Sequence, residues 1–333
     1  MASYIRRRKF LATLLGGAVV AWPLAARAQQ QRTVPVIGLL SVRSPATDAP
    51  LITVIRQGLN ETGFVEGRNV AIEYRAAEGH YDRLPVLAGD LVRGQVTVIV
   101  TIGGEASALA AKAATATVPI VFIGGTDPIR SGLVTSLHRL GGNVTGVSSF
   151  LAETEPKRLG LLRELRGNAR TIAVLLNPNG PQATAQVEDL EIAARTVGQE
   201  IVILKAGTIR DVEAAFERLA QLRADAMLVA TDPFFFDRAA QLVVLAARHA
   251  LPTLYFRREF PVAGGLMSYG SDANESYRVL GVYAGRILKG EKPGDLPIQL
   301  PTKFDLVINL PTARVLGIDV PSALLARADE VIE

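Results

Sequence analysis
Six short loops hold the residue types that could grip a small polar solute. They are Ser41-Val42-Arg43-Ser44, Gly103-Gly104-Glu105-Ala106-Ser107, Gly124-Gly125-Thr126-Asp127-Pro128, Asn177-Pro178-Asn179-Gly180, Thr231-Asp232-Pro233-Phe234-Phe235-Phe236 and Ser268-Tyr269-Gly270-Ser271-Asp272. Glycines let backbone N–H groups approach a ligand, and a helix start favours anions, so Gly103 and Gly104 suit a carboxylate. Ser41 and Ser44 offer hydroxyl donors. Asp127 and Asp232 each precede proline. A carboxylate there either holds an ammonium group or caps a helix that opens on the proline. Three consecutive phenylalanines at a helix start cannot all face a core, so at least one is expected in a cleft, where it could stack on an apolar ligand part. The candidate ligand-binding set is Ser41, Ser44, Gly103, Gly104, Thr126, Asp127, Ser148, Asn177, Asn179, Asp232, Phe234, Phe235 and Tyr269.

Other chemistries lack their residues. With no cysteine there is no disulfide, thiolate metal site or thiol nucleophile. No phosphate-binding loop, dinucleotide fingerprint, nucleophile elbow or zinc-protease helix is present. The three histidines, His80, His138 and His249, are far apart and lie in or beside predicted helices, where packing or solvent accounts for them. No cofactor, metal or enzymatic activity is expected.

The elements that must position these loops alternate short apolar runs with amphipathic stretches from Pro35 onward, the pattern of an α/β fold with parallel sheets. Strands are predicted at 36–40, 70–74, 96–102, 119–123 and 143–147. A second set falls at 172–176, 201–205, 226–230, 252–256 and 265–269, with further strand inside 298–308. Helices are predicted from about Pro50 to Gly63 and over 84–91, 105–114, 129–138, 156–165, 182–197, 211–222, 238–250 and 272–288. Two successive sets imply two Rossmann-like lobes joined by a hinge. The expected division is 33–147 plus about 272–300 for the first lobe and 150–270 plus about 302–333 for the second. Chain crossings fall near Ser148-Ser149, Gly270-Ser271 and Pro301-Thr302. In such sheets a ligand sits at the carboxyl ends of the strands, where the six loops lie.

The net charge of +4 over 333 residues has a local origin. Arg6, Arg7, Arg8, Lys9 and Arg27 fall in the first 28 residues, with no acid, around an apolar run from Phe10 to Trp22. The ending Ala26-Arg27-Ala28 has the small residues of a cleavage site. The run is roughly 13 residues, short of the ~20 that span a bilayer, so residues 1–28 are read as a cleaved export signal. Arg7-Arg8-Lys9-Phe10-Leu11 resembles the twin-arginine signal. Loss of those five basic groups takes the chain from +4 to −1, so no nucleic-acid partner is expected. With no cysteine after the cleavage site, a soluble periplasmic product is expected.

The loops, in this order, resemble the ABC-transporter substrate-binding family that includes tryptophan- and tyrosine-binding proteins, with the type I periplasmic binding protein fold. The resemblance runs from Val34 to about Val331. It rests on Gln57-Gly58-Leu59 with Gly63-Phe64-Val65-Glu66-Gly67, on Tyr81-Asp82-Arg83-Leu84-Pro85, on Thr126-Asp127-Pro128 and on Gly141-Gly142-Asn143-Val144-Thr145-Gly146-Val147. Thr231-Asp232-Pro233, Gly264-Gly265-Leu266-Met267-Ser268-Tyr269-Gly270 and Tyr283-Ala284-Gly285-Arg286-Ile287-Leu288-Lys289-Gly290 continue it. The resemblance implies a receptor that delivers a small solute to an inner-membrane ABC permease driven by a separate ATPase. It also implies cleft positions at Ser41, Gly103, Gly104, Asp127, Asn179, Asp232 and Tyr269. The Phe234–Phe236 run departs from the amino-acid-binding members. The expectation is a monomeric receptor for an amino acid or other small carboxylate; the alternative is a sensory ligand-binding module on the same fold.

Overall fold
The computed structural model describes residues 34–137, 142–167 and 169–333. The expected export signal, with its twin arginines and cleavage site, lies outside the described residues.

Five parallel strands, β1 (Val36–Ser41), β2 (Ala71–Ala76), β3 (Val98–Ile102), β4 (Ile120–Gly124) and β5 (Val144–Ser148), form a sheet in the order β2-β1-β3-β4-β5. The helices between them are α1 (Pro45–Glu61), α2 (Leu84–Arg93) and α3 (Glu105–Ala114). β3 and β4 are buried along their whole length, which is why they read as unbroken Val/Ile runs instead of alternating ones.

The second sheet has seven strands, β6 (Thr171–Leu176), β7 (Glu200–Lys205), β8 (Ala226–Val229), β9 (Thr253–Tyr255), β10 (Met267–Gly270), β11 (Asp305–Asn309) and β12 (Glu330–Ile332), in the order β12-β11-β10-β9-β8-β6-β7. Its helices are α4 (Glu155–Leu165), α5 (Ala183–Thr196), α6 (Ile209–Leu222), the single turn α7 (Pro233–Phe236), α8 (Ala239–Arg248) and the short α9 (Glu259–Val262). After β10 the chain returns to the first sheet as α10 (Ala273–Leu288), whose Tyr277, Leu280, Ala284 and Ile287 share a buried cluster with Leu39, Val100, Ile52 and Ile55. Contact with α1 is close because glycines meet backbone. A Cβ on Gly281 would stand 2.0 Å from the Ile55 carbonyl oxygen, and one on Gly58 1.9 Å from that of Arg278. Gln299 then lies beside Val147 at the edge of the first sheet before β11 enters the second. The chain ends with α11 (Leu310–Val315), α12 (Ser322–Leu325) and β12.

Three expectations need correcting. α1 starts at Pro45, not near Pro50, because Ser44 and Thr47 form a capping box at its start. That cap outweighs the one helical hydrogen bond that Pro50 removes. The helix expected over 129–138 does not form: its described part, 129–137, is turns and bends, and Asp127 Oδ1 accepts from Ile129 N (2.8 Å) without a helix following. The last predicted strand is β11, and it runs antiparallel to β10. Among the described residues no helix is long and apolar enough to cross a membrane.

Candidate ligand-binding cleft
The loops that follow β1, β3 and β4 and those that follow β6, β8 and β9 line one cavity of about 60 Å³. The lobes meet across it, with Arg43 reaching Asp237 and Tyr81 reaching Asp232. The first lobe contributes Arg43, Gly103, Gly104, Glu105, Gly124 and, from α10, Tyr277; the second contributes Gln182, Asp232, Phe236, Phe256 and Arg257. Ser149 and Leu151, on the first crossing, close the back.

The anion-seeking half is built from backbone and one cation. Gly103 (φ 83°) and Gly104 (φ 87°) turn the chain sharply into the ten-residue helix α3. A Cβ on Gly103 would stand 2.8 Å from Val42 Cγ1, so the turn needs glycine for space as well as for φ. Gly104 caps α3 without a side chain, which leaves its first N–H groups to the cavity. Arg257 is 8 % exposed, and its guanidinium donates from Nη1 to the Ser271 carbonyl oxygen (2.9 Å). No carboxylate lies within ion-pair distance of Arg257 among the described residues.

Asp232, also from the second lobe, lines the same cavity. Its carboxylate is the N-cap of α7, accepting from Phe234 N (2.9 Å), and it also accepts from Asn177 Nδ2 (2.8 Å) and Gln182 Nε2 (3.5 Å). The Tyr81 hydroxyl reaches it across the cleft (3.1 Å). Asp232 thus caps α7 and lines the cavity at once. Burial pushes its carboxyl up to about 6, against the downward pull of Asn177, the Phe234 N–H and Tyr81. Beneath it, Thr231 is fixed by the fully buried pair Glu155 and Arg158: Glu155 Oε1 accepts from Thr231 N (2.8 Å) and Arg158 Nη2 donates to Thr231 Oγ1 (2.7 Å).

Arg43 crosses the cleft in the other direction. Its Nε donates to Asp237 Oδ1 (2.5 Å) and lies 3.5 Å from Asp48 Oδ1, while its guanidinium carbon stands 5.0 Å over the Phe236 ring. Tyr74 donates to the other Asp48 oxygen (2.7 Å). Burial pushes both Asp48 and Asp237 up, and Arg43 pulls both down. A further contact between lobes pairs Arg130 with Asp189 at 2.5 Å.

Of the candidate residues, Gly103, Gly104 and Asp232 line this cavity. Most of the others are engaged locally. Ser41 Oγ accepts from Arg43 N (3.0 Å), Ser44 caps α1, and Thr126 Oγ1 donates to Glu105 Oε1 (2.8 Å). Asp127 closes its own turn, Ser148 Oγ donates to the Thr126 carbonyl (2.6 Å), and Asn177 supports Asp232. Asn179 and Phe234 line an outer groove at the mouth of the cleft. Phe235 is fully buried in the core of the second lobe, and Tyr269 stacks on Phe304 (5.9 Å). Of the phenylalanine run it is Phe236 that reaches the cavity, since successive residues of a helical turn point about 100° apart. Arg43 and Arg257 each stand just past a strand end, a position visible in the sequence that does not say where their long side chains reach.

Two α/β lobes that close their strand-end loops on one cavity define a solute receptor of the type I periplasmic binding class. A profile described as ABC transporter substrate binding protein matches residues 36–332, and the chain belongs to that family. A tyrosine-binding protein of Clostridioides difficile (strain R20291) is 29 % identical over 246 residues, 73 % of this chain and 69 % of that protein. The structure of an ABC domain from Streptococcus pneumonia in complex with L-Trp is 26 % identical, with a TM-score of 0.79 over 90 % of this chain and 99 % of that one. A ligand-free, open substrate-binding protein from Clostridium difficile with adhesive properties is 25 % identical over the same shares, with a TM-score of 0.63.

Proposed function
We propose that this substrate-binding protein is the periplasmic receptor of an ABC importer and captures an amino acid or other small carboxylate by hinge closure. The observation that carries the ligand class is the buried Arg257, with no carboxylate at ion-pair distance among the described residues, lining one cavity with the N-terminus of α3 and Asp232. A ligand carboxylate would meet Arg257 and the α3 N–H groups, and hydrogen-bond donors would meet Asp232. Closure is supported by the comparison: at similar identity the chain superposes better on the tryptophan complex (0.79) than on the open protein (0.63). The moving bodies would be 33–147 with about 272–300 and 150–270 with about 302–333. The closed monomer would dock on a permease served by a separate ATPase, after export directed by residues 1–28, with no chemical change in the ligand.

The test uses the chain from Gln29 onward. Mass spectrometry of compounds released on denaturation would identify a co-purified ligand, and thermal melts with L-tyrosine, L-tryptophan and benzoate would rank candidates. A true ligand at a hundred times its dissociation constant should stabilise the fold by about 2.7 kcal/mol. Arg257→Met should weaken binding by about tenfold or more, as loss of a charge-assisted bond does. Equal affinity in that variant would refute the carboxylate role.

A further inference from the structure
The guanidinium of Arg43 stands between two acids that belong to different lobes. Asp48 lies in the first turn of α1, in the lobe that carries Arg43, and is fully buried; Asp237 follows α7 in the second lobe. Arg43 Nε has a single N–H to give. It goes to Asp237 Oδ1 at 2.5 Å, while Asp48 Oδ1 stands 3.5 Å away and receives no hydrogen bond. The other Asp48 oxygen is met by the Tyr74 hydroxyl, from β2 of the same lobe. Arg43 is also tethered to its own lobe, since Nη2 donates to the Thr47 carbonyl of α1 (3.2 Å). Only Asp237 and the Phe236 ring reach it from the second lobe. A buried carboxylate oxygen without a donor is costly. Here the nearest cation belongs to the same lobe and is drawn off by a rival acid.

Separation of the lobes would take Asp237 and Phe236 away and leave Arg43 beside Asp48. A charge-assisted bond of about 2.8 Å then needs an approach of only about 0.7 Å. We propose that Asp48 is a positioning residue for ligand capture: it competes with Asp237 for Arg43, holds the guanidinium when the lobes part, and so sets the fraction of protein that stands closed. Asp48 does not line the central cavity, so it acts on capture through Arg43 and not by touching the ligand. The proposal rests on the reading of hinge closure and adds the group that opposes it. The two acids act on one equilibrium with opposite sign.

The chain has no cysteine, so Val86→Cys in α2 and Val244→Cys in α8, both at exposed positions, would take one spin label on each lobe. Dipolar distance distributions of the ligand-free protein then read the open and closed populations. On this background Asp237→Asn should raise the open-to-closed ratio and Asp48→Asn should lower it, each by about threefold or more. The variant with both changes should be less open than Asp237→Asn alone. Tyr74→Phe takes a donor from Asp48 and keeps its charge, which strengthens the hold on Arg43 and should open the lobes. An Asp48→Asn protein that opens the lobes, or leaves them unchanged both alone and with Asp237→Asn, would overturn the proposal. So would Asp48→Asn and Tyr74→Phe shifting in the same direction, the mark of a loosened α1. Where Asp48→Asn does not fold, a Tyr74→Phe protein no more open than wild type overturns it instead. If L-tyrosine, L-tryptophan or benzoate still shortens the distance in any of these cases, hinge closure stands and only the competition fails. One fixed distance in every variant, with and without those probes, would overturn both.

Discussion

At the scale of single residues, Asp232 carries two duties that pull its charge in opposite directions. As a cap it accepts from the Phe234 N–H, and as a cleft wall it is buried, which raises its carboxyl to about 6. A carboxyl raised in this way favours the fold while protonated. Its contribution is complete below the ordinary value near 3.8 and is lost as pH rises through about 6. Glu155, also pushed up to about 6 by burial, acts in the same direction. Asp232→Asn keeps a capping side chain and removes the buried charge, so thermal melts should show a gain of at most about 2–3 kcal/mol at about pH 8 and none at about pH 4. A variant less stable than wild type at both values would show that the hydrogen bonds of the carboxylate outweigh its desolvation.

At the scale of elements, glycine placement decides whether helices can touch. In α10, Gly281 faces the Ile55 carbonyl so closely that a Cβ would stand 2.0 Å away, whereas Gly160 in α4 has nothing within 4 Å of its own. Gly281→Ala should therefore cost about 1–3 kcal/mol or more through forced separation of α10 from α1. Gly160→Ala should stabilise by up to about 1 kcal/mol. Urea titration of the two variants should move the midpoints in opposite directions; a shift to higher urea for both would mean that the helix pair yields easily. The same scale explains what could be read in advance. Buried parallel strands and long amphipathic helices announce themselves through period and apolar runs, so the two sheets and most helices are legible. The antiparallel β11 is not, because strand direction is set by where the chain returns from, and that lies in the tertiary path of α10 and residues 299–304. The turn-rich stretch after Asp127 imitates a helix start, since Asp-Pro caps an isolated turn as readily as a helix. In the site, Gly103, Gly104 and Asp232 are legible from their place at strand ends. Arg43 and Arg257 are not, because the reach of a long side chain is fixed by what packs around it.

At the scale of the whole molecule, the contacts that cross the cleft include Arg43 with Asp237, Tyr81 with Asp232 and Arg130 with Asp189. They exist only when the lobes meet, so they bias the protein toward closure before any ligand contributes. Of the two ion pairs among them, Arg43 with Asp237 is the buried one, at 4 % and 13 % side-chain exposure, and a buried pair loses most when one partner is neutralised. Asp237→Asn should enlarge the ligand-free radius of gyration in small-angle scattering and lower ligand affinity by the fraction of closed protein lost. Coincident scattering curves for variant and wild type would show that closure does not depend on this pair.

The path of α10 bears on the order in which the chain can be finished. The apolar face that α1 presents to the first lobe's core is covered by Tyr277, Leu280, Ala284 and Ile287, residues made after nearly all of the second lobe. The second lobe in turn lacks β11 and β12 until the last thirty or so residues exist. The part of the protein begun first is thus completed almost last, and a growing chain exposes an unfilled groove along α1 for most of its synthesis. Truncation between β10 and the end of α10 should leave both lobes unfinished, not one intact and one missing.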